Sequence, residues 1–324
     1  MQNNPLFTVV TITYNSALWV RHTIQSVLAQ SFVNFELIIG DDCSTDNTWQ
    51  IINEFSDPRI VTFRNEVNIG EYPNRNKALS LAKGEYLIFV DGDDILYKDS
   101  LERFQKYLQG FPNAAAIWGV GGLDFAVLPY LFEPIELTKL IYFSDYPIST
   151  VGFAESLFKI SMLKEIGGLS NDFAIGDTFL KKRIACQYPV LLTTTGYTFW
   201  RQSDDQASRR VTKNYTNLKE NYIINSIIVN AEYFPLQGEE LELAKKNINI
   251  SVIKLLIKNT LLKGKLMDLI KLMKQLQIPF SNLNLVSEKI YLSYKCNSNG
   301  TNPLMNNYNF TFKNRNKTSF LNQS

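Results

Sequence analysis

The sequence predicts a mainly parallel, doubly wound α/β sheet with helices on both faces, followed by a helical extension. Three observations carry that expectation. Short β-rich runs alternate with helical patterns through the first hundred residues, each run ends in polar residues, and beyond Arg210 apolar residues recur at helical spacing.

Leu6 to Ile12 (LFTVVTI) reads as the first strand, and Asn15 and Ser16 offer a cap for a helix reaching about Gln30. Phe35 to Ile39 (FELII) is the second strand, ended by Gly40-Asp41-Asp42. A second helix starts near Ser44 to Asp46, with Trp49, Ile52 and Phe55 as its apolar stripe. Ile60 to Phe63 is a third strand, Asn74 to Lys83 a third helix, and Tyr86 to Val90 (YLIFV) a fourth strand. A helical crossover returns the chain to the end where the previous strand began, so these strands pair in parallel. From about Ser100 to Arg210 the pattern is mixed, with aromatic residues and turn signals at Gly121-Gly122 and Gly167-Gly168.

Val252 to Leu276 reads as one helix covering the core, its lysines mostly on a solvated face; peripheral contact with a membrane is the alternative. The Asn-rich stretch from Cys296 to Ser324 shows no periodicity and is expected to be disordered. The division is therefore 1–210, 211–295 and 296–324.

Composition narrows the chemistry. The chain has 324 residues, and 33 Lys+Arg against 31 Asp+Glu leave a net charge of +2, which argues against a nucleic-acid binder. Three cysteines (Cys43, Cys186, Cys296) are too scattered for a disulfide framework, and the single histidine, His22, removes most zinc chemistry. Any metal should be a hard cation on carboxylates. No secretory signal and no run near the ~20 apolar residues of a membrane span is present, so the expectation is a cytoplasmic protein, at most peripheral to a membrane.

In doubly wound sheets the ligand lies beyond the carboxyl ends of the strands. Those ends carry Thr13-Tyr14-Asn15, Asp41-Asp42, Asn65 to Gly70, and Asp91-Gly92-Asp93-Asp94. Three carboxylates within four residues repel one another, and a divalent cation bridging to an anionic ligand compensates them. Gly92 permits close backbone approach. Asp42 suits the ring N–H of a base such as uracil, while Ser44 or Asp46 can cap the next helix. Arg75 and Asn76, placed at a helix start, offer a guanidinium and N–H groups to phosphate.

Taken together these segments resemble family 2 inverting glycosyltransferases of the GT-A fold. The residues that carry the resemblance are Val9 to Asn15, Gln30-Ser31-Phe32, Glu36 to Thr48, Asn68-Ile69-Gly70 with Arg75 to Ala78, and Gly84 to Asp94. Gly167-Gly168-Leu169, Ile175-Gly176-Asp177 and Trp200-Arg201 follow, so the likeness spans about residues 5 to 210. It divides that domain into a nucleotide-sugar half (1–100) and an acceptor half (101–210). By resemblance Thr13, Tyr14, Asn15 and Asp42 hold the nucleoside, Asp91 the ribose side, and Arg75 the phosphates. Asp93, with Asp91 beside it, holds Mn²⁺ or Mg²⁺, and Asp177 is the general base. The family often has Glu-Asp where this chain has Gly176-Asp177, and a metal-assisting His where Ser203 stands.

The implied activity is transfer of one sugar from a nucleotide diphosphate sugar, read as a UDP-sugar, to a saccharide or lipid-linked saccharide, as in surface polysaccharide synthesis. The rivals are a catalytically silent GT-A-like scaffold subunit and a metal-dependent nucleotidyltransferase. A nicotinamide dehydrogenase is weaker, because Thr-Tyr-Asn stands where its Gly-rich turn belongs.

Overall fold

Phe7–Thr13 forms β1, flanked in parallel by β2 (Phe35–Asp41) and β4 (Tyr86–Phe89), and β3 (Ile60–Arg64) adds in parallel to β2. The structure is a computed structural model that describes residues 4–121, 123, 127–201, 215–282, 290–302 and 305–314. Helices α1 (Val20–Leu28), α2 (Thr48–Ile52) and α3 (Glu71–Leu81) make the crossovers, as the alternation in the sequence requires. α1 begins later than expected. Asn15 and Ser16 are spent on a turn instead: their N–H groups donate to Ser44 Oγ and Thr48 Oγ1 at 2.9 and 2.7 Å.

The described sheet has eight strands in the order β3-β2-β1-β4-β8-β6-β9-β7. Its second half is mixed: β8 (Ser156–Lys159) runs antiparallel to both β4 and β6 (Ala116–Val120), β9 (Val190–Thr194) parallel to β6, and β7 (Tyr130–Phe132) antiparallel to β9. A short antiparallel pair, β5 (Ile95–Leu96) with β10 (Thr198–Phe199), ties the acidic loop to the second half. Both sheet faces are covered. Val10, Ile38 and Phe89 enter one apolar cluster, while Val9, Ile39 and Ile88 enter the other, as alternation along a strand dictates.

Further helices are α4 (Ser100–Gly110), α5 (Pro134–Phe143), α6 (Ile160–Glu165) and α7 (Gly176–Gln187). Beyond residue 215 come α8 (Thr216–Val229), α9 (Gly238–Asn259) and α10 (Leu266–Gln275). The expected single helix over Val252 to Leu276 is two helices. Gly264 adopts φ +69°, a conformation that suits glycine and stops a helix, and Leu261–Lys263 forms a single 3₁₀ turn before it. The inner residues Val252, Ile253, Leu256, Leu269, Leu272 and Met273 pack on Leu218 of α8, so this segment builds its own cluster rather than capping the sheet. Where the helical extension was expected to run to residue 295 and disorder to follow from Cys296, Ile290–Asn302 and Met305–Asn314 pair instead as antiparallel strands β11 and β12. A period-two pattern in the sequence accompanies them: Ile290, Leu292 and Tyr294 in β11 and Tyr308, Phe310 and Phe312 in β12, with Leu292 opposite Phe312 and Tyr294 opposite Phe310. Residues 315–324 lie outside the described residues.

Candidate active site at the carboxyl edge of the sheet

Strand register brings the predicted strand ends together. Thr13 pairs with Asp41, and the ladder continues as Asp42 N–H donates to Thr13 O, Asn65 N–H to Asp41 O, and Gly92 N–H to Ile12 O. The order β3-β2-β1-β4 reverses direction between β1 and β4, which opens the cleft where such folds take ligands. Gly92 closes against this edge so tightly that a Cβ would lie 2.7 Å from Thr13 Cγ2, which explains the glycine between two carboxylates.

Asp42 is buried and heavily engaged. Its Oδ1 accepts from Asn65 Nδ2 (2.8 Å) and Ile69 N–H (3.0 Å), and its Oδ2 from Gly70 N–H (2.9 Å). These bonds shape the loop between β3 and α3. A carboxylate offers about four lone-pair sites, so one remains for a ligand. Beside it, the buried Asp41 accepts from Thr13 Oγ1, Ser44 N–H and Ser44 Oγ, and ion-pairs with Arg64 at 3.1 Å. Sequence reasoning gave Asp41 no separate role; it braces the loop that presents Asp42. Asn15, at φ +52°, accepts from Thr45 N–H at 2.8 Å, and the Tyr14 side chain next to it is half exposed at the cleft edge. Asp46 binds Thr48 N–H and Ala17 N–H, so its work is local.

Arg75 differs from expectation. α3 begins at Glu71, so Arg75 sits in its second turn and is 1% exposed. Its guanidinium reaches Glu71 at 2.9 Å and Asp91 at 2.6 Å, and lies 4.9 and 4.6 Å from the Phe89 and Phe153 ring centres. Nη1 is buried with no hydrogen-bond partner among the described residues, so one donor is left over. Burial opposes the charge of Arg75, but Asp91 and Glu71 outweigh it and hold the guanidinium firmly protonated. Enclosure raises the Glu71 pKa, Arg75 pulls it down, and Asp91 and Asp177 push it up again.

The acidic loop is braced from the far end of the domain. Asp94 is buried and accepts from Arg201 N–H at 3.1 Å; Arg201 Nε donates to Asp93 O at 3.0 Å and its guanidinium stacks 3.9 Å over Trp19. Burial, with Asp91 and Asp93 nearby, pushes the Asp94 carboxyl up to about 8. Among the described residues no three His, Cys, Asp or Glu side chains are grouped to hold a metal by themselves. Asp93 and Asp91 supply the oxygen donors a hard cation takes when substrate phosphates complete its shell, so the donor set fits Mn²⁺ or Mg²⁺.

Asp177 lies in the first turn of α7, partly exposed, close enough to Glu71 and Tyr72 to disfavour added negative charge on both. Asp177 and the Arg75–Asp91 pair therefore converge on one helix, α3. Tyr72 makes the join: its hydroxyl donates to Ala174 O (3.1 Å) and accepts from Gly176 N–H (2.8 Å). Asn76 binds both Leu169 N–H and Leu169 O, at 2.9 and 2.7 Å. Neither was read from the sequence as a positioning residue; the only local signal was the Glu71–Arg75 spacing of four. Ser203, which stands where the family often has a metal-assisting His, lies outside the described residues.

Residues 8–166 match the model for Glycosyl transferase family 2. That stretch is a family 2 glycosyltransferase domain. The fold agrees: the chain superposes on Staphylococcus aureus TarS 1-349 in complex with UDP-GlcNAc with a TM-score of 0.65 at 19% identity, over 87% of this chain and 84% of that one. It also superposes on the mannosyltransferase PcManGT of Pyrobaculum calidifontis, in complex with GDP-Man and Mn²⁺, with a TM-score of 0.58 at 15% identity, over 88% of this chain and 79% of that one. In sequence it is 43% identical over 89 residues to the Escherichia coli UDP-Glc:alpha-D-GlcNAc-diphosphoundecaprenol beta-1,3-glucosyltransferase WfaP, 28% of this chain and 36% of that protein. The chain spans less than half the length of the curated relatives it matches most strongly. The GT-A architecture expected from the sequence is the one observed.

Proposed function

We propose that the protein is an inverting glycosyltransferase that moves one sugar from a UDP-sugar to a saccharide or lipid-linked saccharide acceptor. The observation that carries this reading is the convergence of Thr13, Asp42, Asp91 and Asp93 on one sheet edge, with Asp177 across α3 from them. The donor class is supported by the UDP-GlcNAc complex of TarS, and the acceptor class by the lipid diphosphate in the name of WfaP.

In this reading Tyr14 stacks on the base, Asp42 accepts its ring N–H through the remaining lone pair, and Thr13 and Asn15 frame the ribose pocket. Asp91, its geometry set by the buried Arg75, accepts from a ribose hydroxyl, and Arg75 acts on the phosphates only through the position and charge it gives Asp91. Asp93, with Asp91 beside it, would hold a divalent cation, which when bound would neutralise charge on the leaving diphosphate. Asp177 takes the proton of the acceptor hydroxyl as that oxygen attacks the anomeric carbon opposite the departing group. A single base with in-line attack inverts configuration and needs no carboxylate nucleophile.

The test pairs two variants. Asp177→Asn keeps shape and helix-start chemistry but removes basicity, so transfer should fall about 10²-fold or more with UDP affinity unchanged. Asp93→Asn should abolish the Mn²⁺-dependent part of UDP binding in calorimetry. Near-normal transfer by Asp177→Asn would move the base elsewhere, and GDP bound in place of UDP would overturn the donor assignment.

A further inference from the structure

The turn between α9 and α10 exposes what a soluble domain ordinarily buries. Residues 261 to 267 are all exposed, and Leu261, Leu262, Leu266 and Met267 keep 44%, 76%, 53% and 75% of their surface. Leu255, on the last turns of α9, adds another 45%. These five side chains are the outward counterpart of the buried stripe in the same helices, so the packing that explains Leu256, Leu269 and Met273 does not explain them.

The charge around them is one-sided. Lys258, Lys263, Lys265, Lys271 and Lys274 are exposed on the same helix pair. Asp268 is the single acidic residue between 258 and 275, and its carboxylate accepts from Tyr215 Oη at 3.1 Å. Such a surface combines apolar side chains at a protruding turn with a collar of flexible ammonium groups.

We infer that this turn seats the protein on an anionic lipid bilayer, with Leu262 and Met267 entering the acyl region and the lysines meeting headgroup phosphates. Charge complementarity selects this occupant. A protein partner would be expected to meet aromatic or arginine anchors, and residues 261 to 267 carry neither. A second copy would bring a like-charged collar against this one. Lysine stems can lie along the apolar surface while their heads stay at the interface. No described helix is long and apolar enough to cross a membrane, so the contact would be peripheral. The inference stands apart from the reaction proposed above, because none of these residues lies in the catalytic cleft.

The experiment is sedimentation of the full chain with vesicles of phosphatidylcholine plus phosphatidylglycerol, and with phosphatidylcholine alone. Binding should favour the anionic vesicles and weaken as salt is raised. Leu262→Asp with Met267→Asp should lower vesicle affinity about a hundredfold, since each apolar side chain lost from the interface removes about tenfold. Lys263→Glu with Lys265→Glu should lower it on the anionic vesicles by a similar amount. Both variants should keep the thermal melting curve and UDP affinity of the parent, which separates this surface from the catalytic reading. Failure to sediment, or binding that both double variants retain, would overturn the inference. So would a dimer in sedimentation equilibrium that Leu262→Asp with Met267→Asp dissociates, for the surface would then join two copies.

Discussion

Arg75 holds two carboxylates with one guanidinium, and that geometry sets what its loss should do. Replacing it by Met leaves Glu71 and Asp91 facing each other without a cation. Their side chains keep 40% and 41% of their surface, so the cost lies between that of an exposed and a buried pair, about 2 kcal/mol. Urea unfolding should show this as a lower midpoint at unchanged slope, together with weakened UDP binding. Arg75→Lys should recover only part of either, because an ammonium cannot bridge two carboxylates in a planar fork. A variant as stable as the parent would mean that the two ion pairs contribute nothing. At this scale, the proposed roles of Arg75 and Asp91 come from the sequence, which puts one beside an expected helix start and the other at a strand end. Their mutual contact was not legible there. The sequence places Arg75 at the helix start, and only the fold reveals that one more turn buries it against Phe89 and Phe153.

α7 divides its labour by exposure: Asp177 stands partly exposed in its first turn, while Lys181 and Lys182 are buried on the next. Lys181 Nζ donates to Val151 O and Gly152 O, and burial pulls its pKa down to about 7 despite Asp177 and Glu155. In the unfolded chain the same amine titrates near 10.5, so between these values the unfolded state holds the extra proton. Stability from this group therefore rises as pH climbs from about 7 toward 10.5, and below 7 the full cost of a buried charge remains. Against Lys181→Met, the parent should gain at most about 1.4 kcal/mol per pH unit across that window. Lys182, lowered by burial to about 8, adds a slope that both proteins share. Parallel stability curves for parent and variant would sink the idea. Elements of this kind were unevenly legible. The β1 to β4 strands declare themselves by continuous apolar runs. The α9–α10 break did not, because Gly264 sits in an otherwise regular apolar period and a lone glycine is often tolerated in a helix.

Across the whole molecule, the half that carries the proposed nucleotide-site residues was the readable one. Its strands are local, parallel and end in polar groups, whereas β6 to β9 pair with distant partners in mixed directions and offer no short-range signature. The loop before Asp177 shows why. It is pinned by Tyr72 and Asn76 from α3, about a hundred residues upstream, and by Glu220 from α8, whose Oε2 accepts from Ile175 N–H at 3.0 Å. The helical extension thus reaches into the catalytic domain at the residue two before the proposed base. Glu220→Ala should let that loop relax and cost about tenfold in transfer, since small displacements of a reacting group are expensive. UDP affinity should hold, because the donor cleft has its own braces at Asp41 and Asp42. Glu220→Gln should restore transfer, since an amide oxygen accepts the same N–H bond. The rescue separates positioning from charge: if Gln fails as badly as Ala, Glu220 acts through its negative charge on the cleft. If Ala lowers the melting temperature but leaves kcat intact, the bond to Ile175 supports the fold alone and the extension is not part of the active site.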